Sequence, residues 1–398
     1  MSDLLDGCKI LDLTQMLAGP YGTLILGDMG AEIVKTENPQ GGDGVRAMGP
    51  HFLKGESVYF LSINRNKKSV ALDLKSESGR NIFYRLVEKF DVVFDNFRPS
   101  ARERLGLTRD ELIKRNPKII TVSISAFGSD GPYRDKPAFD LVLQAMGGGM
   151  SVTGEDGRIP CRMGLPIGDQ AGGLFAAAAI AAALYKREKT GKGSHIDISL
   201  LDCQVSLLTY MAQYYFHTDE VPRPIGSGHQ TVVPYQAFRS ADIDFVIAVF
   251  TDRFWRGLCY AVSREELIDD PRFRSNTDRV RNKKELLPLL EQIFAEKPGE
   301  YWLERLEAQG VPCAPINTLD RVFTDAQVLH RGMLTSVEHP KCGVIKQVGD
   351  PVKVEGSGGV LAPPPALGQH TSEVLSQYLG MTVKEIEELI NPSGDKSD

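Results

Sequence analysis

One stretch of this 398-residue chain, GLPIGDQAGGLFAAAAIAAALYKREKTGKGSHIDISLLDCQ from Gly164 to Gln204, gathers the residues best placed to do chemistry. Asp169 follows a Pro-Ile-Gly turn and precedes an Ala-rich run, Gly173 to Tyr185, closed by KREK and a Thr-Gly-Lys-Gly turn. Two roles suit a carboxylate in the first turn of such a helix. It can cap the helix by accepting a backbone N–H bond. Kept ionised by the free N–H groups and the positive helix end, it can instead act as a nucleophile. Elsewhere, Arg65, Lys67 and Lys68 in INRNKKSVALDL form either a solvated turn or a phosphate-contacting loop. Gly147–Gly149 permit close backbone approach or simply a turn. His229, beside Gly228, is either a substrate contact or an incidental loop histidine.

The elements that must carry these residues alternate. CKILDLT (Cys8–Thr14) reads as a strand, followed by the loop QMLAGP, a helical YGTLILGDMG and a second strand, AEIVKTE, which together make a βαβ crossover. Glu37 sits where a ribose-binding acid would, yet Gly19, Gly22 and Gly27 lack the GxGxxG spacing, which disfavours nicotinamide binding. After the strand that follows the basic turn come a helix (Gly79–Phe90), a strand (Asp91–Phe97), a helix (Arg109–Asn116) and a strand (Lys118–Gly128). This alternation predicts a Rossmann-like, doubly wound α/β sheet with its sites at the strand carboxyl ends, where Asn96, Phe97, Arg98 and Phe127 lie. The strand His195–Leu200 and a helix Leu200–Tyr215 complete the first part, 1–216. Pro and Gly in HTDEVPRPIGSGHQTVVPYQ mark a linker, 217–233, into a smaller α+β domain, 234–316, with a strand pair in AFRSADIDFVIAVF and three helices. The remainder, 317–398, ends in helices Thr371–Tyr378 and Val383–Ile390 that are expected to return to the large domain.

The formal charge of −6 argues against a general nucleic-acid partner. Six cysteines lie far apart without a CxxC pair, which disfavours a zinc ribbon, a thioredoxin-type site or a disulfide scaffold, and no metal is expected. The N-terminus shows no cationic and apolar leader, and the apolar run Gly173–Tyr185 is too short to span a bilayer, so the expectation is a cytoplasmic protein without a membrane partner.

Six segments in order, LDLTQMLAGPYGTLILGDMGAEIVKTE, FLSINRNKKSVALDL, DVVFDNFRPSARERLGL, AFGSDGPYRDKPAFD, GDQAGGLFAAAAIAAALYKREKTGKG and GVPCAPIN, resemble the class III CoA-transferases, the family of formyl-CoA transferase, carnitine CoA-transferase and α-methylacyl-CoA racemase. The likeness runs from about Leu5 to Leu389, and GSGHQTVVPYQAF and APPPALGQHT most resemble members that use succinyl-CoA and dicarboxylates such as glutarate. It implies a large Rossmann-like domain built from both chain ends, a small domain, and an obligate homodimer of two interlocked open rings. The substrates it implies are an acyl-CoA and a free carboxylic acid.

By the same resemblance Asp169 is the nucleophile, forming an acyl anhydride and then an aspartyl-CoA thioester. Coenzyme A would contact Leu17, Ala18, Leu72, Asp73, Leu74, Lys75, Asn96, Phe97, Arg98, Arg104 and Lys136, Pro137, Ala138 and Phe139. Gly228, His229 and Gln230 would stand in a loop over the substrate, and His229, Gln230 and Arg162 could meet a distal carboxylate. Two departures stand out. Asn38 replaces an arginine of formyl-CoA transferase, and Leu17 replaces its glutamine, which argues against oxalate as acceptor. The racemases place a His just before an Asp as one of two bases. Here Phe139 precedes Asp140, so proton abstraction is disfavoured, while Asp140 is left to orient Asp169 or substrate, or to cap a helix.

Overall fold

The computed structural model describes residues 2–356 and 358–390, so the end of the expected segment 317–398 lies outside them. The chain divides into two compact units. The first comprises Met1–Met150, Arg162–Glu220 and the chain from Leu329 onward; the second comprises Ser151–Cys161 and Val221–Val328.

Six parallel strands form the sheet of the first unit: β1 (Lys9–Asp12), β2 (Glu32–Glu37), β3 (Lys67–Ala71), β4 (Val92–Asp95), β5 (Ile120–Ser125) and β6 (His195–Ser199). Their spatial order is β3-β2-β1-β4-β5-β6, with Leu11 opposite both Val34 and Val93. Successive strands are added outward on one side of β1 and then on the other. The carboxyl ends of β1 and β4 therefore border the crevice where such sheets bind ligands. Helices cover both faces, so the strands are nearly unbroken apolar runs rather than alternating ones. On one face Ile10, Ile33, Phe94 and Val122 meet Ala176, Ile180 and Ala183. On the other, Leu11, Val34, Val70 and Val93 meet Phe83, Leu86, Val374 and Leu375, which brings the C-terminal part of the chain onto the large unit.

Four helices position the site: α1 (Ala18–Asp28), α2 (Asp140–Met146), α3 (Ile167–Thr190) and α4 (Leu200–Ser206). α1 and α3 cross backbone to backbone. A Cβ on Gly22 would lie 2.9 Å from the Gly173 carbonyl oxygen, and one on Gly173 only 2.6 Å from that of Ala18. α3 starts six residues ahead of the Ala-rich run and reaches 24 residues, long and apolar enough by composition to cross a bilayer, unlike the 13-residue run read from sequence. Its Gly and Ala side is spent on the core instead. The helix expected over Leu200–Tyr215 is two, α4 and Thr209–Thr218, because the chain turns at Leu207–Leu208 and Thr209 adopts φ 42°.

The second unit has a three-stranded antiparallel sheet in which Asp244–Ala248 lies between Cys313–Pro315 and Tyr235–Arg239. Phe238, Phe245 and Trp302 pack edge-on around Phe294. This unit is wider than 234–316. The Gly226 N–H donates to the Gly154 carbonyl, which stitches Ser151–Cys161 and most of the expected linker into it and removes that segment from 1–216.

Candidate active site

Asp169 is not the helix cap. Pro166 occupies that position without a side-chain bond, and Asp169 is the third helical residue of α3. Among the described residues no group donates a hydrogen bond to its carboxylate. Burial first, and then the negative charge of Asp140, push its pKa up to about 7. The expectation that the helix end keeps this carboxylate ionised is therefore reversed: desolvation of the charged form outweighs the helix field.

Asp140 opens α2 and is buried. Its Oδ1 accepts the Gly168 N–H at 2.9 Å and its Oδ2 accepts the Gln144 amide at 2.6 Å. Gln144 is fully buried and its own Oε1 accepts the Met163 N–H at 2.9 Å. The second carboxylate is thus bonded to the backbone N–H of the residue immediately before Asp169, at the start of α3. Phe139, 73% exposed, offers no proton-transfer group at the position a racemase base would need.

Tyr59, on the helix Val58–Ile63, feels the charge of Asp169, and burial together with that charge raises its phenol pKa. With Leu17, Pro166, Gln170 and Leu174 it lines a largely apolar cavity of about 720 Å³ in the first unit. Its position beside Asp169 is invisible in the sequence. Gln144, by contrast, lies four residues after Asp140, a spacing at which helical side chains meet.

The loop after β1 is held at each peptide. Asp12 accepts from the Thr14 N–H, Lys35 donates to the Thr14 carbonyl at 2.5 Å, Asn96 pairs with both backbone groups of Gln15, and Asp43 accepts from the Met16 N–H. Met16 is thereby kept at φ 67°, a conformation unfavourable to a residue with a Cβ. Lys35 and Lys67 are buried and paired with Asp43 at 2.9 Å and Asp12 at 3.4 Å. Burial pushes Lys67 down to about 8.

This overturns both readings of the basic turn. Lys67 points inward and donates to the Pro20 carbonyl, Arg65 is buried against Asp28 and the Val348 carbonyl, and Lys68 bridges Glu32 and Glu373. Arg65 and Lys67 are buried, and Lys68, partly exposed, is committed to two carboxylates. Glu37 is equally committed, to Arg46, Ser69 and the Asp43 N–H, and has no oxygen left for a ribose.

The positions expected to touch coenzyme A fall into groups. Leu17 and Ala18 stand after β1 and Asn96, Phe97 and Arg98 after β4, so both lie at the crevice, joined by the Asn96–Gln15 pair. Arg104 is exposed at the end of the helix Pro99–Arg104. Leu72, Asp73 and Lys75 line a groove of about 530 Å³ with Asn38, and Leu74 packs into the adjacent core. Lys136, Pro137, Ala138 and Phe139 lead into α2, with the Lys136 ammonium 3.8 Å from the centre of the Tyr133 ring. Gly228, His229 and Gln230 belong to the second unit, where Gly228 and His229 line a separate pocket of about 340 Å³ and His229 packs 5.3 Å from Tyr235. Among the described residues no group of three His, Cys, Asp or Glu could hold a metal.

The family described as CoA-transferase family III matches residues 5–371. A succinyl-CoA:glutarate CoA-transferase of Mus musculus is 41% identical over 387 residues, covering 97% of this chain and 89% of that protein. An acetyl-CoA:oxalate CoA-transferase of Acetobacter aceti is 40% identical over 352 residues, with 88% and 89% covered. The crystal structure of a CAIB/BAIF family protein from Brucella suis superposes with a TM-score of 0.85 at 34% identity, over 95% of this chain and all of that one.

Proposed function

Starting from a chain that belongs to CoA-transferase family III, we propose that it moves coenzyme A from succinyl-CoA to a free dicarboxylate, with Asp169 as the covalent carrier. The observation that carries this is the Asp169 carboxylate itself, half-buried in the first turn of α3, without a hydrogen-bond donor among the described residues and with its pKa pushed up to about 7. A carboxylate so poorly solvated is a stronger nucleophile than one in water, and near neutrality a large fraction of it is ionised.

In this scheme an Asp169 oxygen attacks the thioester carbonyl carbon, the C–S bond breaks, and the CoA thiolate leaves an acyl anhydride. The thiolate then attacks the Asp169 side-chain carbon, releasing the donor acid and leaving an aspartyl-CoA thioester. The acceptor carboxylate attacks that carbon and expels the thiolate, and the thiolate finally takes the acceptor acyl group and frees Asp169. Each step exchanges activated carboxyl derivatives, so the thioester energy is kept rather than lost to water. Asp140 holds the peptide before the nucleophile. Leu17, Ala18, Asn96–Arg98, Arg104, Leu72–Lys75 and Lys136–Phe139 bind the coenzyme. The working form is an interlocked homodimer, for which the exposed Tyr214, Tyr215 and Phe216 offer an apolar surface to cover. A dicarboxylate acceptor is supported by the mouse relative, named for glutarate, and by the Acetobacter relative, named for oxalate, the shortest dicarboxylate.

The test mixes succinyl-CoA with isotope-labelled dicarboxylates and follows new thioesters by mass, with hydroxylamine added during turnover. Hydroxamate on Asp169 and transfer lost in Asp169→Asn are expected. Transfer that survives in Asp169→Asn without any mark on that residue would end the covalent scheme.

A further inference from the structure

Gln204 lies on α4, 2% exposed, and its side-chain Nε2 is buried without a hydrogen-bond partner among the described residues. Leaving such a donor unmet costs about 1–3 kcal/mol, so its presence calls for a reason. The surroundings are built to admit it. A Cβ on Gly168 would meet Gln204 Nε2 at 2.5 Å and Asp140 Oδ1 at 2.9 Å, a Cβ on Gly147 would meet Gln204 Cβ at 2.5 Å, and Gly149 passes its Oε1. Three glycines, two in the turn Gly147–Gly149 and one in the first turn of α3, thus leave the space this one polar side chain fills. They bring its N–H to the same spot beside Gly168 as the Asp140 oxygen that holds the start of α3.

We propose that Gln204 is a positioning residue of the transfer reaction: its spare amide N–H sits beside the Asp140 carboxylate at Gly168, tempers that charge, and so sets the geometry and basicity of Asp169. The inference rests on Asp169 being the nucleophile. The N–H dipole offsets part of the negative field that Asp140 exerts on Asp169 across one peptide, and the packed carboxamide keeps the first turn of α3 from shifting as acyl groups come and go. The orientation is consistent with this, since an amide turned the other way would set an oxygen against the carboxylate. Of the other titratable groups nearby, Tyr59 feels Asp169 directly; Asp202 and Cys203 stand on the helix of Gln204, Asp202 exposed and Cys203 buried in the core, and Tyr21 stands on α1, which also packs on α3.

The experiment compares wild type, Gln204→Met, Gln204→Glu and Asp169→Asn as full chains, measuring the pH profile of kcat/KM and thermal stability. Gln204→Met keeps the length of the side chain and removes the unmet donor. It is expected to fold with a Tm no lower than wild type, yet to lose about 10- to 100-fold in kcat/KM, with the acidic limb of the profile displaced to higher pH. Gln204→Glu keeps the shape and adds a third acid, and should displace that limb further. A Gln204→Met enzyme with wild-type rate and profile overturns the proposal. Should Gln204→Met fail to fold, an unchanged limb in Gln204→Glu overturns it instead. Asp169→Asn separates the two levels: an active Asp169→Asn refutes the nucleophile, whereas an inactive one beside a normal Gln204→Met refutes only the role of Gln204.

Discussion

Replacing the Asp169 carboxylate by an amide should make the protein more stable while abolishing transfer. In the folded chain the group titrates at about 7, against 3.8 for an ordinary aspartate. A raised acid costs the fold stability wherever the unfolded chain would ionise it. Below about pH 4 folded and unfolded chains both carry the proton, and the site costs nothing. Between there and about pH 7 the unfolded chain ionises while the folded one does not, and the native state loses about 1.4 kcal/mol per pH unit. The full loss is about 4 kcal/mol at most, and about 2–4 kcal/mol once partial solvent screening is allowed for. Asparagine carries no such penalty. The assay is denaturant unfolding of wild type and Asp169→Asn at one protein concentration from pH 4 to pH 9. The stability difference should be near zero at the acid end, grow in favour of the variant, and level off above about pH 8. A difference that is flat with pH, or a variant less stable than wild type at pH 8, would refute the claim that this carboxylate is desolvated.

Two further outcomes follow from the same geometry. Asp140→Asn keeps an oxygen for the Gly168 N–H but removes the charge that helps raise Asp169, so the acidic limb of kcat/KM should move to lower pH in a pH–rate profile; a limb that stays or rises would contradict the pairing. Gly173→Ala puts a Cβ 2.6 Å from the Ala18 carbonyl, and since two backbones must part to admit it, a loss of about 1–3 kcal/mol in unfolding free energy is expected. A variant as stable as wild type would mean that α1 and α3 are free to slide.

Periodicity carried most of the fold. The helices Lys283–Ala295 and Val383–Ile390 fall where apolar spacing puts them, and strand–helix alternation points to a parallel sheet because a parallel neighbour can be reached only by a crossover. Charge was harder to read. Arg65, Lys67 and Lys68 look like a solvent-facing cluster, but their partners Asp28, Asp12 and Glu32 lie more than thirty residues away, beyond any local pattern. Asp169 was legible as a carboxylate in a helix's first turn, while the balance between helix field and desolvation depends on Asp140 and on neighbours only tertiary packing supplies. Gln204 gives no sequence signal, since an unmet donor is defined by what surrounds it.

The tethering of Thr14, Gln15 and Met16 by side chains from four other segments has an evolutionary consequence. With the main chain pinned from outside, the side chain at residue 17 can be exchanged without rerouting the backbone that presents it. A lineage can then vary that cavity-lining side chain by single-codon steps, while the backbone scaffold around it is inherited intact.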